Sequence, residues 1–198
     1  MRNVASYYGS VGADQLYGSG DADVIFGEDG SDFIYAGDGS DLVSGNVGDD
    51  TIYLGFGYDI GFGGQGSDLL YGEDGSDTVY GNLGNDYLDG GFGDDALYGG
   101  RGDDTLIAGA GVDLLVGGVG SDILAGGDGP DLFVFAANCE NDLILDFDPY
   151  AGDRLQIYGQ GYALTETAAG DALLLLSGGG SVTFANLTPD EFDPGWFA

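Results

Sequence analysis

Aspartate recurs every nine residues through fourteen consecutive blocks of this chain: Asp14, Asp23, Asp32, Asp41, Asp50, Asp59, Asp68, Asp77, Asp86, Asp95, Asp104, Asp113, Asp122 and Asp131. Glycine stands two residues before each of them, except where Asp21 replaces it. A large apolar residue stands two residues after each, except at Gly61. One carboxylate per glycine-rich turn is donor chemistry for a hard divalent cation, which takes about six to eight oxygens with loose geometry. Glycine lets backbone carbonyls approach such an ion, and the aspartate adds an anionic oxygen. All fourteen aspartates are therefore candidate metal ligands.

Catalysis is the competing chemistry, and the composition opposes it. The chain has no histidine, and its three basic residues are all arginine. That removes histidine-assisted nucleophiles, histidine zinc sites and the usual general base. A glycosidase-type carboxylate pair is formally open, but the aspartates already have an ion-binding role and no concave pocket is implied. The chain is expected not to be an enzyme.

The elements that must position the aspartates follow from the same frame. Each block runs from a first-position glycine, as in Gly99 to Ile107, and the aspartate is its sixth residue. Positions one to six carry the glycine and aspartate of a turn that needs positive φ. Positions seven to nine, such as Thr78-Val79-Tyr80, are short, branched and aromatic, which suits a three-residue strand. A turn and a strand every nine residues predict a parallel β coil. The eighth positions, from Leu16 and Ile25 through to Phe133, would fill a narrow core.

The pattern Gly-Gly-x-Gly-x-Asp-x-apolar-x, clearest at Gly63 to Tyr71, Gly90 to Tyr98, Gly99 to Ile107 and Gly117 to Ala125, resembles the RTX (repeats-in-toxin, hemolysin-type) nonapeptide, a Ca²⁺-binding repeat. The resemblance implies an all-β fold, a parallel β-roll (β-solenoid) of about seven coils, two repeats to a coil. It implies Ca²⁺ bridging each repeat to the next but one, held by the sixth-position carboxylates and turn carbonyls, at roughly ten sites. Ala36, Leu54 and Ala108 replace first-position glycines, and Asp21 a fourth-position one. Weaker or missing ions are expected around repeats two, four and six, and tighter ones from Gly63 to Asp131.

Three segments follow from this reading: residues 1–8, a degenerate half-repeat; 9–134, the Ca²⁺-binding roll; and 135–198, a β-rich cap. The passage Asn141-Asp142-Leu-Ile-Leu-Asp146-Phe-Asp148-Pro149, with Gly152-Asp153-Arg154, resembles the segment closing rolls in serralysin-type secreted proteases. That resemblance implies a C-terminal signal for type I export, with Asp193 to Ala198 a loose match. Asp142, Asp146 and Asp148 are candidates to add a Ca²⁺ ligand, with surface turn carboxylates the favoured reading.

Composition bounds the partners. The formal charge is -32 with only three basic residues, so nucleic acid is excluded as a partner. Such acidity with 42 glycines would suit a disordered chain, but 43% of residues are hydrophobic. Something must neutralise the acid before they pack. The single cysteine, Cys139, rules out an intrachain disulfide and leaves metal as the staple. Met1 to Tyr8 lack the apolar stretch of a Sec-type signal, and no apolar run approaches membrane-spanning length. The expected setting is extracellular, with calcium ions and the type I secretion machinery as partners.

Ninth positions eighteen residues apart should stack as rows: Tyr17, Tyr35, Tyr53 and Tyr71 on one sheet, and Phe26, Phe62, Tyr80 and Tyr98, interrupted by Ser44, on the other. Such rows stiffen a sheet or offer a platform to sugar rings. Two alternatives to a pure folding scaffold therefore stand: a polysaccharide-binding or adhesive module, and the tail of a secreted protease, lipase or epimerase with an upstream catalytic domain.

Overall fold

The computed structural model describes residues 4–136, 139–159, 161–185 and 187–197. Met1 to Asn3 of the expected half-repeat and Ala198 of the expected export signal lie outside the described residues. The strands among them are β1 (Ala5–Tyr8), β2 (Gln15–Tyr17), β3 (Asp23–Asp29), β4 (Phe33–Gly39), β5 (Leu42–Val47), β6 (Thr51–Gly57), β7 (Ile60–Gln65), β8 (Leu69–Gly75), β9 (Thr78–Leu83), β10 (Tyr87–Phe92), β11 (Ala96–Arg101), β12 (Thr105–Ala110), β13 (Leu114–Val119), β14 (Ile123–Asp128), β15 (Leu132–Phe135), β16 (Asn141–Ile144), β17 (Arg154–Ile157), β18 (Tyr162–Glu166), β19 (Ala172–Leu176) and β20 (Ser181–Phe184).

The odd strands β1 to β17 form one sheet of nine, the odd sheet; the even strands β2 to β16, continued by β20, β19 and β18, form an even sheet of eleven. Chain and sheet alternate at every repeat, so the backbone winds as a parallel β-roll of about eight turns. The register is fixed at eighteen residues, as in Thr78↔Ala96 and Leu97↔Leu115. Most strands of the roll run six or seven residues, as in Thr78–Leu83, twice the expected length. The first-position glycine is the reason: it keeps the chain extended, and the second and third positions stay in the ladder, as Gly100↔Gly118 and Arg101↔Val119 show. The turn then forms over second and fourth positions such as Gly100 (φ 112°) and Gly102 (φ 128°), conformations natural to glycine.

The core is a single file of eighth-position side chains, with Ile25, Ile52, Leu70, Leu97 and Leu124 wholly buried. Repeat six reads in the sequence as a break, with Leu54 for glycine and Gly61 for a core residue. The structure shows an exchange instead. First positions also face inward; Leu54 is wholly buried and lies against Gly61, where an added Cβ would meet its Cδ1 at 3.0 Å. Leu54→Ala is expected to leave a cavity and cost about 2–5 kcal/mol, and Gly61→Leu alone to overpack by about 1–3 kcal/mol. The double variant restores the pattern of repeats four and twelve, so a double-mutant cycle of thermal melts in Ca²⁺ should show strong coupling. Additive losses would refute the exchange.

The ladders run on past Val134. β16 pairs in parallel with β14, and β17 with β15, which supplies the turn beyond the fourteen nonapeptides. The antiparallel pairs β18–β19 and β19–β20 then fold a β-rich cap over the end. Phe147 plugs the core there, with ring centroids 5.9 Å from Phe133, 5.4 Å from Phe184 and 5.6 Å from Trp196. At the other end Tyr7 and Leu16 are only partly buried against the core.

Candidate metal centre

Each sixth-position aspartate sits just before its strand, where the chain turns inward. Asp23 through Asp131 are all buried, at most 3% exposed, while Asp14 in the first turn is half-buried. Their geometry repeats. From Asp32 to Asp131 the Oδ1 of each accepts the backbone N–H of the aspartate one turn earlier, at 2.6 to 3.0 Å. Two rails result, one along each edge of the roll. Asp14, Asp32, Asp50, Asp68, Asp86, Asp104 and Asp122 form the first; Asp23, Asp41, Asp59, Asp77, Asp95, Asp113 and Asp131 form the second. The structure thus brings every predicted ligand into one of two lines.

The other oxygen of each carboxylate is the informative one. From Asp32 to Asp131 every Oδ2 is buried without a hydrogen-bond partner among the described residues, and Asp23 has the same orphan at Oδ1. A buried, unpaired carboxylate oxygen is costly. Here the cost recurs at every repeat from the second to the fourteenth, which marks it as a feature of the fold. The orphans also face other oxygens. A Cβ added to Gly45 or Gly81 would run into the Oδ2 of Asp50 or Asp86 and into the first-position carbonyl one turn on, Gly63 or Gly99. Carboxylate and carbonyl oxygens therefore converge over first-position glycines such as Gly45 and Gly81, and these Oδ2 atoms have no donor among the described residues. Such an arrangement fits a cation. No three carboxylates converge among the described residues, so any ion held here draws much of its coordination from turn carbonyls.

Electrostatics says the same. Burial pushes Asp41, Asp50, Asp95, Asp113, Asp122 and Asp131 up to about 6, and Asp68, Asp77 and Asp104 up to about 7. The backbone N–H bond on Oδ1 opposes the shift; neighbouring carboxylates add to it. Positive charge is too scarce to help, since the chain has only three basic residues.

Two rail members lie beyond the fourteen repeats: Asp142, which the sequence offered as a ligand but favoured as a surface carboxylate, and Asp153, which it did not single out. Asp142 continues the first rail, its Oδ1 accepting the Asp122 N–H at 3.0 Å; Asp153 continues the second, accepting from Asp131 at 2.9 Å. Asp142 is 2% exposed with an orphaned Oδ2 and is pushed up to about 7 by burial, so its assignment as a surface carboxylate is corrected. The spacing hid both, at 20 and 22 residues instead of eighteen. A signal was present: an apolar residue two positions on, Ile144 or Leu155, wholly buried in the core. Asp146 caps the turn above, its two oxygens accepting from the Gly126 and Gly127 N–H groups at 3.0 and 2.9 Å.

Comparison with known families settles what the repeats are. The model of the RTX calcium-binding nonapeptide repeat matches four times, over residues 8–43, 26–60, 62–97 and 98–133, more than half the chain. This chain belongs to the RTX calcium-binding repeat family. Among solved structures, the RTX roll resembles the extracellular lipase LipA from Serratia marcescens at 20% identity and a TM-score of 0.50, with 100% of this chain and 40% of that one covered. It therefore spans well under half of the lipase, and the likeness is one of fold. The AlgE6R3 subunit of the Azotobacter vinelandii mannuronan C5-epimerase also matches, at 22% identity and a TM-score of 0.29, covering 92% of this chain and 78% of that one. A search of curated proteins gives no match.

Proposed function

We propose that this RTX roll is a calcium-driven folding module of a secreted bacterial protein, kept unfolded for type I export and folded outside the cell. The observation that carries the reading is the pair of rails with their orphaned oxygens, which no donor among the described residues satisfies. All fourteen repeat aspartates, with Asp142 and Asp153, would hold Ca²⁺, which supplies the positive charge the chain lacks. The number of ions is roughly ten, each lying between turns. The β-carbons of Ala36, Leu54 and Ala108 stand where other repeats leave room beside the aspartate, so Asp41, Asp59 and Asp113 should hold ions least tightly.

The cap has a matching role in this reading. Phe147, Phe184 and Trp196 close the core at one end, which gives folding a place to begin as calcium arrives. The likeness to one part of a lipase supports a structural, non-catalytic segment attached to a separate catalytic domain.

Calorimetric titration of the calcium-free chain tests the proposal. Folding coupled to binding should appear as several ions per chain and a heat-capacity change of about -2 to -3 kcal/mol/K, as expected for ordering a chain of this length. A stoichiometry of one or two ions with a heat-capacity change near zero would describe binding to a preformed roll and defeat the reading.

A further inference from the structure

The two faces of the roll differ in charge. Strands β5, β7, β9, β11, β13 and β15 contain no aspartate or glutamate, although the chain has 35 acidic residues. On the even sheet β6 and β12 are likewise free of acid, but β4, β8, β10 and β14 each carry one or more, as β3 does at the outer end of the odd sheet. An acid-free stretch of sheet on so acidic a molecule, with Arg101 its one charge, is the place to look for a contact surface.

A groove of about 690 Å³ crosses this face over β5, β7, β9 and β11. Its one aromatic lining residue is Phe62, the end member of the stack Phe62–Tyr80–Tyr98, with ring centroids 4.9 and 4.8 Å apart and planes within 11°. The stack stops at Phe62, because the residue registered beside it is Ser44. One turn further out it resumes as Phe26 on Tyr8, 5.5 Å apart. A ring-sized gap is therefore left against Phe62, with Ser44 as its floor.

The polar lining has its own peculiarity. Asn46 and Asn82 adopt φ of 74° and 76°, in a row where Gly64, Gly100 and Gly118 serve the neighbouring turns. Glu28 and Glu73 adopt the same φ at second positions outside the groove, so what sets Asn46 and Asn82 apart is that they bring neutral amides to this lining. Both amides line the groove beside Gln65, and Asn46 Oδ1 accepts the Ser44 hydroxyl at 3.0 Å. Arg101 is the one charged residue in the lining.

We propose that this groove binds a neutral polysaccharide, with one sugar ring in the gap against Phe62 and the chain crossing the turns over Asn46, Gly64 and Asn82. A pyranose presents apolar C–H faces to an aromatic ring, much as a base stacks, while its hydroxyls both donate to and accept from amide side chains. A neutral chain meets no repulsion from the acidic edges; an acidic one does. A second copy of the protein fits less well. Six strands about 4.8 Å apart and about 20 Å long offer about 600 Å², short of the ~800 Å² per partner of a stable interface. The inference rests on the calcium-folded roll proposed above, and its test separates the two.

The full chain, saturated with Ca²⁺, is run by affinity electrophoresis through hydroxyethyl cellulose, soluble starch and polygalacturonate. Retardation by at least one neutral glucan and not by polygalacturonate is expected. Ser44→Tyr completes the aromatic row; it should weaken retardation at least about tenfold while leaving the calcium midpoint of folding unchanged or lower. Asn46→Gly with Asn82→Gly should do the same, since glycine relaxes the backbone and removes both amides. Tyr53→Ala, on the even sheet, should retain binding. Retardation by neither glucan, equal retardation by polygalacturonate, undiminished binding by Ser44→Tyr, or self-association in place of glycan binding each overturns the proposal. So does a loss of binding that tracks a raised calcium midpoint in every variant.

Discussion

In EGTA the chain is expected to lose its strand signal and expand from a radius of gyration of about 16 Å, the value for a compact chain of this length, towards about 48 Å. Restoring calcium to the millimolar range should reverse both changes. The argument is electrostatic before it is structural. Closing the roll lines up buried carboxylates whose second oxygens have no partner, and 35 acidic residues face only three basic ones. No rearrangement of the chain's own side chains can neutralise the rails. Calcium can, and its contribution is additive. At a free concentration about tenfold above Kd, each independent site contributes about 1.4 kcal/mol. Roughly ten sites then give about 14 kcal/mol, comparable to the whole stability of an ordinary domain, ~5–15 kcal/mol. Magnesium, which demands near-octahedral geometry and keeps its waters, should leave the chain expanded at equal concentration. Far-ultraviolet circular dichroism and small-angle scattering measure both effects. A roll that keeps its strand signal and compact radius in EGTA would sink the calcium-driven reading.

The period of nine was legible because three positions repeat one chemistry each: a glycine that must turn, an aspartate that must face inward and an apolar residue that must be buried. That was enough for the fold class and for every aspartate from Asp14 to Asp131. Four things were not legible, or only half so, for separate reasons. The complementarity of Leu54 and Gly61 needs the knowledge that first and eighth positions share the interior, which a linear frame does not state. Asp142 and Asp153 carry the right neighbours at the wrong spacing, because the loops before them are longer. The rows of tyrosines were half right. Tyr17, Tyr35, Tyr53 and Tyr71 are in register, yet the rings meet in a zigzag that includes the seventh-position Phe33 and Tyr87, with Phe33 to Tyr53 at 5.7 Å and Tyr71 to Tyr87 at 5.9 Å. The acid-free run from β5 to β15 is visible only when odd and even repeats are read apart, since a period of nine averages the two sheets.

Acid should substitute for calcium, and only in its absence. Without a cation the rail carboxyls of the folded chain hold protons up to about pH 6 or 7, as at Asp113 or Asp77, against an ordinary value of 3.8. Burial is the main cause. Like charges add to it: Asp50, Asp86 and Asp49 face Asp68; Asp86, Asp122 and Asp103 face Asp104; Asp122 and Glu140 face Asp142. Cys139, beside Asp142, is itself pushed up to about 12 and stays neutral. The folded state therefore binds protons more tightly than the unfolded one. The stability this confers is complete below the unfolded value, near pH 4, and is lost as pH rises through about 6 to 7. In EGTA, stepping from about pH 8 to about pH 5 should increase the strand signal, with the steepest rise between about pH 7 and pH 6. In calcium the same step works the other way, because protons and Ca²⁺ compete for the same oxygens, and the calcium midpoint should rise. The opposite signs are the test. A surface carboxylate array would show no folding on acidification, whereas two buried rails accept either kind of positive charge as long as one of them arrives.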